Sequence, residues 1–302
     1  MMELQVKAAD GRTLAAATWG RPDGRPVFLM HGSPGSRLGQ TPRSSLLSRL
    51  GLRVITFDRP GYGESDRLPG RRVSDAAEDV RIIAEQLGIE RFSVVGRSGG
   101  APHALACAAL LADRVVRTAA LVSIAPWHAE GLDWQAGMSA SNRGSYRRGE
   151  RDDDEGRHLS TTLRIRSRDI RDDPQRLLDQ LRGELPATDR WVLASGTMTS
   201  LLRASYREAL RRDRGGWVDD ALAFRQPWGF DVVDIPGEVL LWHGADDVYA
   251  PVEHTVWLGE RIPHARVDIR PFEGHFGAMR VMPDVLHWAA QEPGEGAVAW
   301  PH

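Results

Sequence analysis

Short apolar runs recur along the chain between segments with helical spacing. An alternating stretch at 3–7 and a second at 13–19 flank an Asp-Gly turn and predict an opening hairpin. The apolar runs occupy 27–30, 54–57, 92–95, 119–122, 239–242 and 267–269. Near-continuous runs of this kind are typical of strands buried on both faces. Val80, Ile83 and Leu87 follow helical spacing between two of them. The alternation predicts an α/β fold with a mostly parallel, doubly wound sheet.

The alternation stops in the middle of the chain. Residues 127–230 are rich in arginine and acidic side chains, and no convincing buried strand interrupts their helical stretches. The regular pattern then returns near Trp228 and Phe230. We therefore predict a helical cap at 127–230, inserted into a core formed by 1–126 and 231–302.

The charge balance narrows the class of partners. The 302 residues carry 39 basic and 41 acidic side chains, without the basic surplus that phosphate neutralisation requires. The longest uncharged stretch, 98–112, is shorter than the roughly 20 residues that cross a bilayer. Charges at Glu3, Lys7, Asp10 and Arg12 leave no apolar core for a secretory signal. We expect a cytoplasmic protein that acts on a small molecule, without nucleic-acid or membrane partners; the number of subunits stays open.

Two scarce residue types exclude several chemistries. Cys107 is the only cysteine, so there is no disulfide, Cys-x-x-Cys redox pair or cysteine-rich zinc site within the chain. Lys7 is the only lysine, which removes a Walker A motif, a Ser-x-x-Lys dyad and a Schiff-base lysine. The histidines form no His-Glu-x-x-His pair, and the glycines at 61–63 lack the third glycine of a dinucleotide fingerprint. No metal or organic cofactor is expected.

A Gly-x-Ser-x-Gly motif gives the strongest local signal. It follows the apolar run 92–95 and precedes an alanine-rich helical segment. A serine on a sharp turn between a strand and a helix needs small neighbours, and Gly96 and Gly100 provide them. This context predicts that Ser98 is a nucleophile at the carboxyl end of the sheet. The alternative is a plain glycine-rich turn.

A serine nucleophile needs a histidine base held by a carboxylate. His275 follows the last apolar run in a Glu-Gly-His-Phe context, and the adjacent Asp246 and Asp247 follow the run before it. Both groups are thus predicted at strand ends, at the same edge of the sheet as the serine. Other histidines that composition allows as the base are His103, His243, His254 and His264.

Two further loops carry a family resemblance. The His-Gly-Ser-Pro-Gly segment at 31–35 and the Phe-Asp-Arg-Pro-Gly-Tyr-Gly-Glu-Ser segment at 57–65 resemble loops of the α/β-hydrolase fold superfamily, in its capped serine esterase, lipase and haloperoxidase-like branch. The order serine, aspartate, histidine is also that of this fold. The family's acid lies three residues after the glycine of His-Gly and four before a proline. Asp247 satisfies both distances, counted from Gly244 and to Pro251, which leaves Asp246 as the alternative.

The resemblance implies further site residues. The backbone amides of Ser33 and Gly99 are the expected oxyanion-hole donors, although a turn role would also explain Ser33. Arg97, His31, Trp127 and Trp134 are candidates for substrate binding. Each of these four also has a structural interpretation, in an ion pair, in loop ordering or in packing at a domain junction.

The sequence thus predicts a serine hydrolase with the triad Ser98, Asp247 and His275. It would cleave an ester-like carbonyl bond of a carboxylic ester, lactone or thioester through an acyl-enzyme. The serine argues against relatives that place an aspartate at this turn, the haloalkane dehalogenases and epoxide hydrolases. Three alternatives remain: an amidase or aminopeptidase, a cofactor-free lyase or cyclase, and a ligand-binding module with little or no turnover.

Overall fold

A computed structural model describes residues 1–39, 42–146, 152–212 and 215–291. Its centre is one eight-stranded sheet with the order β1-β2-β4-β3-β5-β6-β7-β8. The strands are β1 Met2–Lys7, β2 Thr13–Gly20, β3 Arg25–Met30, β4 Leu52–Phe57, β5 Phe92–Arg97, β6 Val115–Leu121, β7 Val239–Gly244 and β8 Ala265–Arg270. β1 and β2 form the predicted hairpin, and β2 also pairs antiparallel with β4. The other pairs, β4–β3, β3–β5, β5–β6, β6–β7 and β7–β8, are all parallel. This confirms the predicted fold class.

Twelve α-helices connect or cover the strands within the described ranges. They are α1 Ser44–Arg49, α2 Asp75–Gln86, α3 Ala101–Leu110, α4 Ala140–Ser145, α5 Asp152–Asp172, α6 Pro174–Glu184, α7 Ala187–Ala194, α8 Gly196–Ala209, α9 Gly216–Arg225, α10 Glu253–Gly259, α11 Gly277–Arg280 and α12 Met282–Ala289. None of them is both long and apolar enough to span a bilayer.

Apolar residues of the central strands face alternately towards two helical layers. Val27 and Leu29 of β3 pack with residues of α1 and α12, whereas Phe28 and Met30 pack with residues of α2 and α3. Successive side chains of a strand point to opposite faces, so a strand covered on both faces must be apolar throughout. This explains why the buried strands appear in the sequence as continuous apolar runs.

Helices α4 to α9 lie between β6 and β7, and the described residues between these strands form no further strand. Leucines from α6, α7 and α8 share a hydrophobic cluster with Tyr62 and Phe276 of the core. The segment is therefore a helical layer with apolar packing onto the core, and it is called the cap below; the domain bounds 127–230 stay a prediction. Residues 292–302, which the prediction assigns to the core, lie outside the described residues.

Candidate active site

Ser98 lies at the junction of β5 and α3. Its φ of 54° is in the left-handed region, where residues with a side chain are rare. The turn is tight on both flanks: a Cβ on Gly96 would lie 2.6 Å from the carbonyl carbon of Gly100, and a Cβ on Gly100 would lie 2.6 Å from the His31 oxygen. The two glycines are therefore required by close backbone contacts, and the strained turn presents Ser98 to a cavity beneath the cap.

His275 and Asp247 come together from the loops after β8 and β7. The His275 Nδ1 lies 2.7 Å from the Asp247 Oδ2. The other carboxylate oxygen accepts the backbone N–H groups of Tyr249 and Ala250, at 2.7 and 3.0 Å. Burial alone would raise the pKa of Asp247, but His275 and the other hydrogen-bond donors hold it well below its ordinary value. An ionised Asp247 makes Nδ1 the donor, which leaves Nε2 of His275 as an acceptor.

A second imidazole contacts the same carboxylate. The Nε2 of His243 lies 3.2 Å from the Asp247 Oδ2, and its Nδ1 lies 2.6 Å from the Thr255 hydroxyl. Sequence reasoning treated His243 only as an alternative base, whereas its ring is fully buried and does not line the cavity that contains Ser98. The neighbouring Asp246 is exposed. Of the two aspartates, Asp247 is the one that contacts His275.

The other candidate bases lie elsewhere. Burial lowers the pKa of His103 to about 3 and that of His254 to about 4, so both are neutral near pH 7. His103 hydrogen-bonds to the Gly99 oxygen at 2.7 Å, and His254 contacts backbone atoms on both sides of its ring. His264 is exposed. These three histidines do not line the cavity that contains Ser98 and His275.

The backbones of Ser33 and Gly99 meet beside Ser98. A Cβ on Gly99 would lie 3.1 Å from the Ser33 nitrogen, and both residues line the cavity. Gly99 also precedes α3, whose N-terminal end favours negative charge. The role of these two amides as oxyanion donors stays a prediction.

A buried carboxylate from the cap holds this region in place. Asp220 of α9 accepts hydrogen bonds from Arg59 and Arg71, both at 2.6 Å, and from the Tyr62 hydroxyl at 2.7 Å. The Ser33 hydroxyl donates to the same carboxylate. Burial would raise the pKa of Asp220, but the two guanidinium groups keep it well below its ordinary value. The sequence offers no local signal for this network, because its members are far apart in the chain.

We predict that Asp220→Asn lowers the free energy of unfolding by about 3 to 5 kcal/mol, because it leaves two buried arginines without their shared negative charge. Urea unfolding followed by circular dichroism measures the loss. Asp172→Asn is the control: its partner Arg171 is exposed, so about 0 to 1 kcal/mol is expected. Equal stability of the two variants would contradict a stabilising role for Asp220.

The histidine loop is also attached to the cap. Asp189 of α7 accepts the backbone N–H groups of His275 and Phe276, at 2.8 and 2.7 Å. It lies so close to Gly274 that a Cβ there would be 2.6 Å from the Asp189 Oδ1. Burial raises the pKa of Asp189, and His275 together with the backbone N–H group of Phe276 opposes this rise only in part. Asp189 thus fixes the backbone that carries the base, a role that sequence reasoning missed.

The cavity between the cap and the sheet has a volume of about 100 Å³ and is partly open to solvent. Its described walls carry polar groups together with apolar and aromatic side chains, the latter including Leu163, Leu177, Leu181, Trp217, Phe224 and Phe276. Arg97, one of the four predicted substrate-binding residues, lies on the wall, and its role stays a prediction. Among the described residues, no group of three or more histidine, cysteine, aspartate or glutamate side chains is arranged to hold a metal ion.

The other three predicted substrate-binding residues do not line this cavity, and each is held in packing or loop ordering. The ring of Trp134 lies 4.6 Å from that of Trp127 and 4.9 Å from that of Tyr146, and Tyr146 itself reaches the wall. The buried His31 accepts the Arg59 N–H at Nε2 and contacts the Gly32 oxygen through Nδ1. Aromatic content near the cap junction could not distinguish the wall from the layer behind it.

Comparison with known proteins identifies the family of this chain. Residues 25–279 match the alpha/beta hydrolase fold family, and the chain belongs to it. A 2-hydroxymuconate semialdehyde hydrolase of Pseudomonas putida is 28% identical over 265 residues, which are 84% of this chain and 82% of that one. A proline iminopeptidase of Xanthomonas citri is 33% identical over 107 residues, 34% of each chain.

A solved structure shows the same fold. The bromoperoxidase of Bacillus anthracis superposes with a TM-score of 0.70 at 22% identity, covering 95% of this chain and 99% of that one. At this identity the likeness shows the fold alone. The activity has to be argued from the residues of this chain.

Proposed function

We propose that this protein is a serine hydrolase that cleaves an ester-like carbonyl bond of a small, partly apolar substrate through an acyl-enzyme. The observation that carries the proposal is the 2.7 Å contact between the His275 Nδ1 and the Asp247 Oδ2. His275 and Ser98 lie on the wall of the same cavity. A strained nucleophile, a base with a fixed tautomer and two neighbouring backbone amides support this proposal, because acyl transfer needs a nucleophile, a base and oxyanion donors.

In the first half-reaction, the Nε2 of His275 takes the proton of the Ser98 hydroxyl while its oxygen attacks the substrate carbonyl. The amides of Ser33 and Gly99 stabilise the resulting oxyanion, and Asp247 stabilises the imidazolium. His275 then protonates the leaving alcohol. In the second half-reaction His275 activates a water molecule, which releases the acid and restores Ser98.

Contacts from the cap position both the proposed oxyanion donors and the base. Asp220 binds the Ser33 hydroxyl from α9, and Asp189 binds the His275 backbone from α7. A shift of the cap would therefore move the oxyanion donors and the base together. Small displacements of such groups lower the rate strongly.

An aminopeptidase is the second candidate, because a proline iminopeptidase is among the relatives. An enzyme of that kind needs an anion to hold the free amino group of its substrate. The described residues on the cavity wall include no aspartate or glutamate. The wall therefore favours an ester, lactone or thioester over a substrate with a free ammonium group.

A substrate panel tests the choice. We expect hydrolysis of phenyl esters, and of lactones or thioesters of similar size, with kcat/KM at least about a hundredfold above that for proline anilide. Faster cleavage of the anilide would replace the ester proposal with the aminopeptidase. Phosphonate labelling of Ser98 without turnover of any member would favour a lyase or cyclase, and neither labelling nor turnover would favour a binding module.

We predict that Leu181→Ala changes the preference for acyl chain length. Leu181 and Leu177 of α6 line the cavity, and a pocket methylene is worth about 1 to 3 kcal/mol, or roughly ten- to a hundredfold in kcat/KM. The variant should gain on longer esters relative to acetate, measured as ratios of kcat/KM. The exposed Leu201→Ala is the control. An unchanged ratio in Leu181→Ala would remove α6 from the acyl pocket.

A further inference from the structure

A buried hydroxyl lies on the cavity wall without a partner. Tyr249 follows Asp247 by two positions and lines the cavity. It is 8% exposed, and its hydroxyl has no hydrogen-bond partner among the described residues. The buried hydroxyl of Tyr62, in contrast, donates to Asp220 at 2.7 Å. Buried polar groups without a partner are rare in folded proteins, so the Tyr249 hydroxyl indicates a ligand atom that supplies one.

Contacts on three sides fix the position of Tyr249. Its backbone N–H group donates to the Asp247 Oδ1 at 2.7 Å, and its carbonyl oxygen accepts from the Asn142 amide at 2.6 Å. The centre of its ring lies 5.4 Å from that of His275, at an interplanar angle of 72°. The side chain is therefore held beside the proposed base before a ligand binds. A donor that is already in place loses little conformational freedom when its partner arrives.

The Tyr249 hydroxyl is a donor near pH 7. Burial raises its pKa well above the ordinary value, and Glu184 adds to this effect, so the proton stays on the oxygen. Arg166 acts in the opposite direction, which means that groups of both signs surround the hydroxyl. These charges favour neither an anion nor a cation, and a neutral oxygen is therefore the acceptor that we expect.

The surroundings of Tyr249 place this donor next to the proposed acyl pocket. Tyr249 shares a hydrophobic cluster with Leu177 and Leu181 of α6, and all three residues line the cavity. The two leucines are the side chains to which the acyl chain is assigned above. An acyl chain that packs against this cluster brings its own substituents to the Tyr249 ring.

We propose that Tyr249 determines specificity by donating a hydrogen bond from its hydroxyl to a neutral oxygen in the acyl chain of the substrate. This inference rests on the proposed function and narrows its substrate class to esters, thioesters or lactones of acids whose chain carries an ether or ketone oxygen. Hydrolysis of such an ester consumes one water and gives the oxygen-bearing acid and the alcohol. A plain alkyl chain in the same place would leave the hydroxyl buried without a partner, which weakens binding.

Matched pairs of phenyl esters test the preference. In each pair an ether oxygen replaces one methylene group: methoxyacetate with butanoate, 3-methoxypropanoate with pentanoate, and 4-methoxybutanoate with hexanoate. Each kcat/KM is divided by the hydroxide-catalysed rate constant of the same ester, which removes the inductive effect of the ether oxygen. For at least one pair we expect the wild-type enzyme to favour the ether ester by roughly 3- to 10-fold, within the range for a neutral hydrogen bond.

Tyr249→Phe assigns the preference to the hydroxyl. It should slow the ether ester roughly 3- to 10-fold, while the alkyl ester changes by less than about twofold. The unfolding midpoint should not fall, because the hydroxyl that is lost has no partner among the described residues. Tyr62→Phe is the matched control, since it removes a hydroxyl that binds Asp220 and lies off the cavity wall. It should lower the midpoint and leave the ratio of the two esters unchanged.

Several results would overturn the inference. The wild-type enzyme could show no preference in any pair, or Tyr249→Phe could retain the preference, which would assign it to another group. Equal slowing of both esters by Tyr249→Phe would indicate a role in packing, and a fall in its unfolding midpoint would indicate that the hydroxyl has a partner within the protein. In each case ester hydrolysis and labelling of Ser98 persist, so the proposed function would stand. Loss of the proposed function would instead appear as neither turnover nor labelling with any of these esters.

Discussion

Ser98→Ala should lower ester turnover by roughly three to six orders of magnitude, the range that follows removal of a triad nucleophile. The variant keeps the cavity, the oxyanion amides and the base, so KM should change little. Alanine also removes no contact from the apolar core. The measurement is kcat for a phenyl ester, determined with a preparation free of wild-type enzyme.

A stability measurement is the matched control for this variant. The left-handed backbone at Ser98 is strained for alanine as it is for serine, so the unfolding midpoint should stay close to that of the wild type. A stable Ser98→Ala protein that retains full activity would contradict the assigned nucleophile.

Asp247→Asn should lower kcat by about ten-thousandfold. The backbone N–H groups of Tyr249 and Ala250 fix one side-chain oxygen of residue 247 as an acceptor. The amide of asparagine would then face His275 and donate to Nδ1. The base would hold its proton on Nε2, the wrong atom for activating Ser98. Steady-state rates over a range of pH measure the loss.

The neighbouring aspartate provides the matched comparison. Asp246 is exposed, and Asp246→Asn should change kcat by less than about tenfold, because the charge that it removes does not contact His275. If Asp246→Asn were the more damaging of the two, the acid of the triad would be Asp246. The contact between Asp247 and His275 would then need another explanation.

The sheet could be predicted from the sequence because its strands are covered on both faces. Burial of Val27 to Met30 on alternate sides leaves no polar position in the run, and such runs are visible without knowledge of their neighbours. The turn at Ser98 is likewise a local signal, since the small residues that it requires are adjacent in the chain.

The groups that fix the site could not be predicted in this way. Asp220 meets Ser33 across 187 positions, and Asp189 meets His275 across 86. An aspartate in a charged helical segment looks the same whether it faces solvent or enters the core. Only the folded arrangement distinguishes Asp220 from the exposed Asp172.

The residues that line the cavity could not be predicted from the sequence either. Trp127 and Trp134 were predicted as pocket residues from their place near the cap junction, but they pack behind Tyr146. Arg166 and Tyr249 reach the wall instead. Their helix and loop positions gave no signal, because which side of a cap helix faces the core depends on the packing of the whole layer.

Peptide mapping of the wild-type enzyme after reaction with a fluorophosphonate tests the central claim most directly. We predict one adduct per chain, located by mass spectrometry on Ser98, with reaction blocked by prior incubation with a slowly hydrolysed ester. An adduct on another residue, or none on an enzyme that hydrolyses esters, would contradict the assignment of Ser98 as the nucleophile.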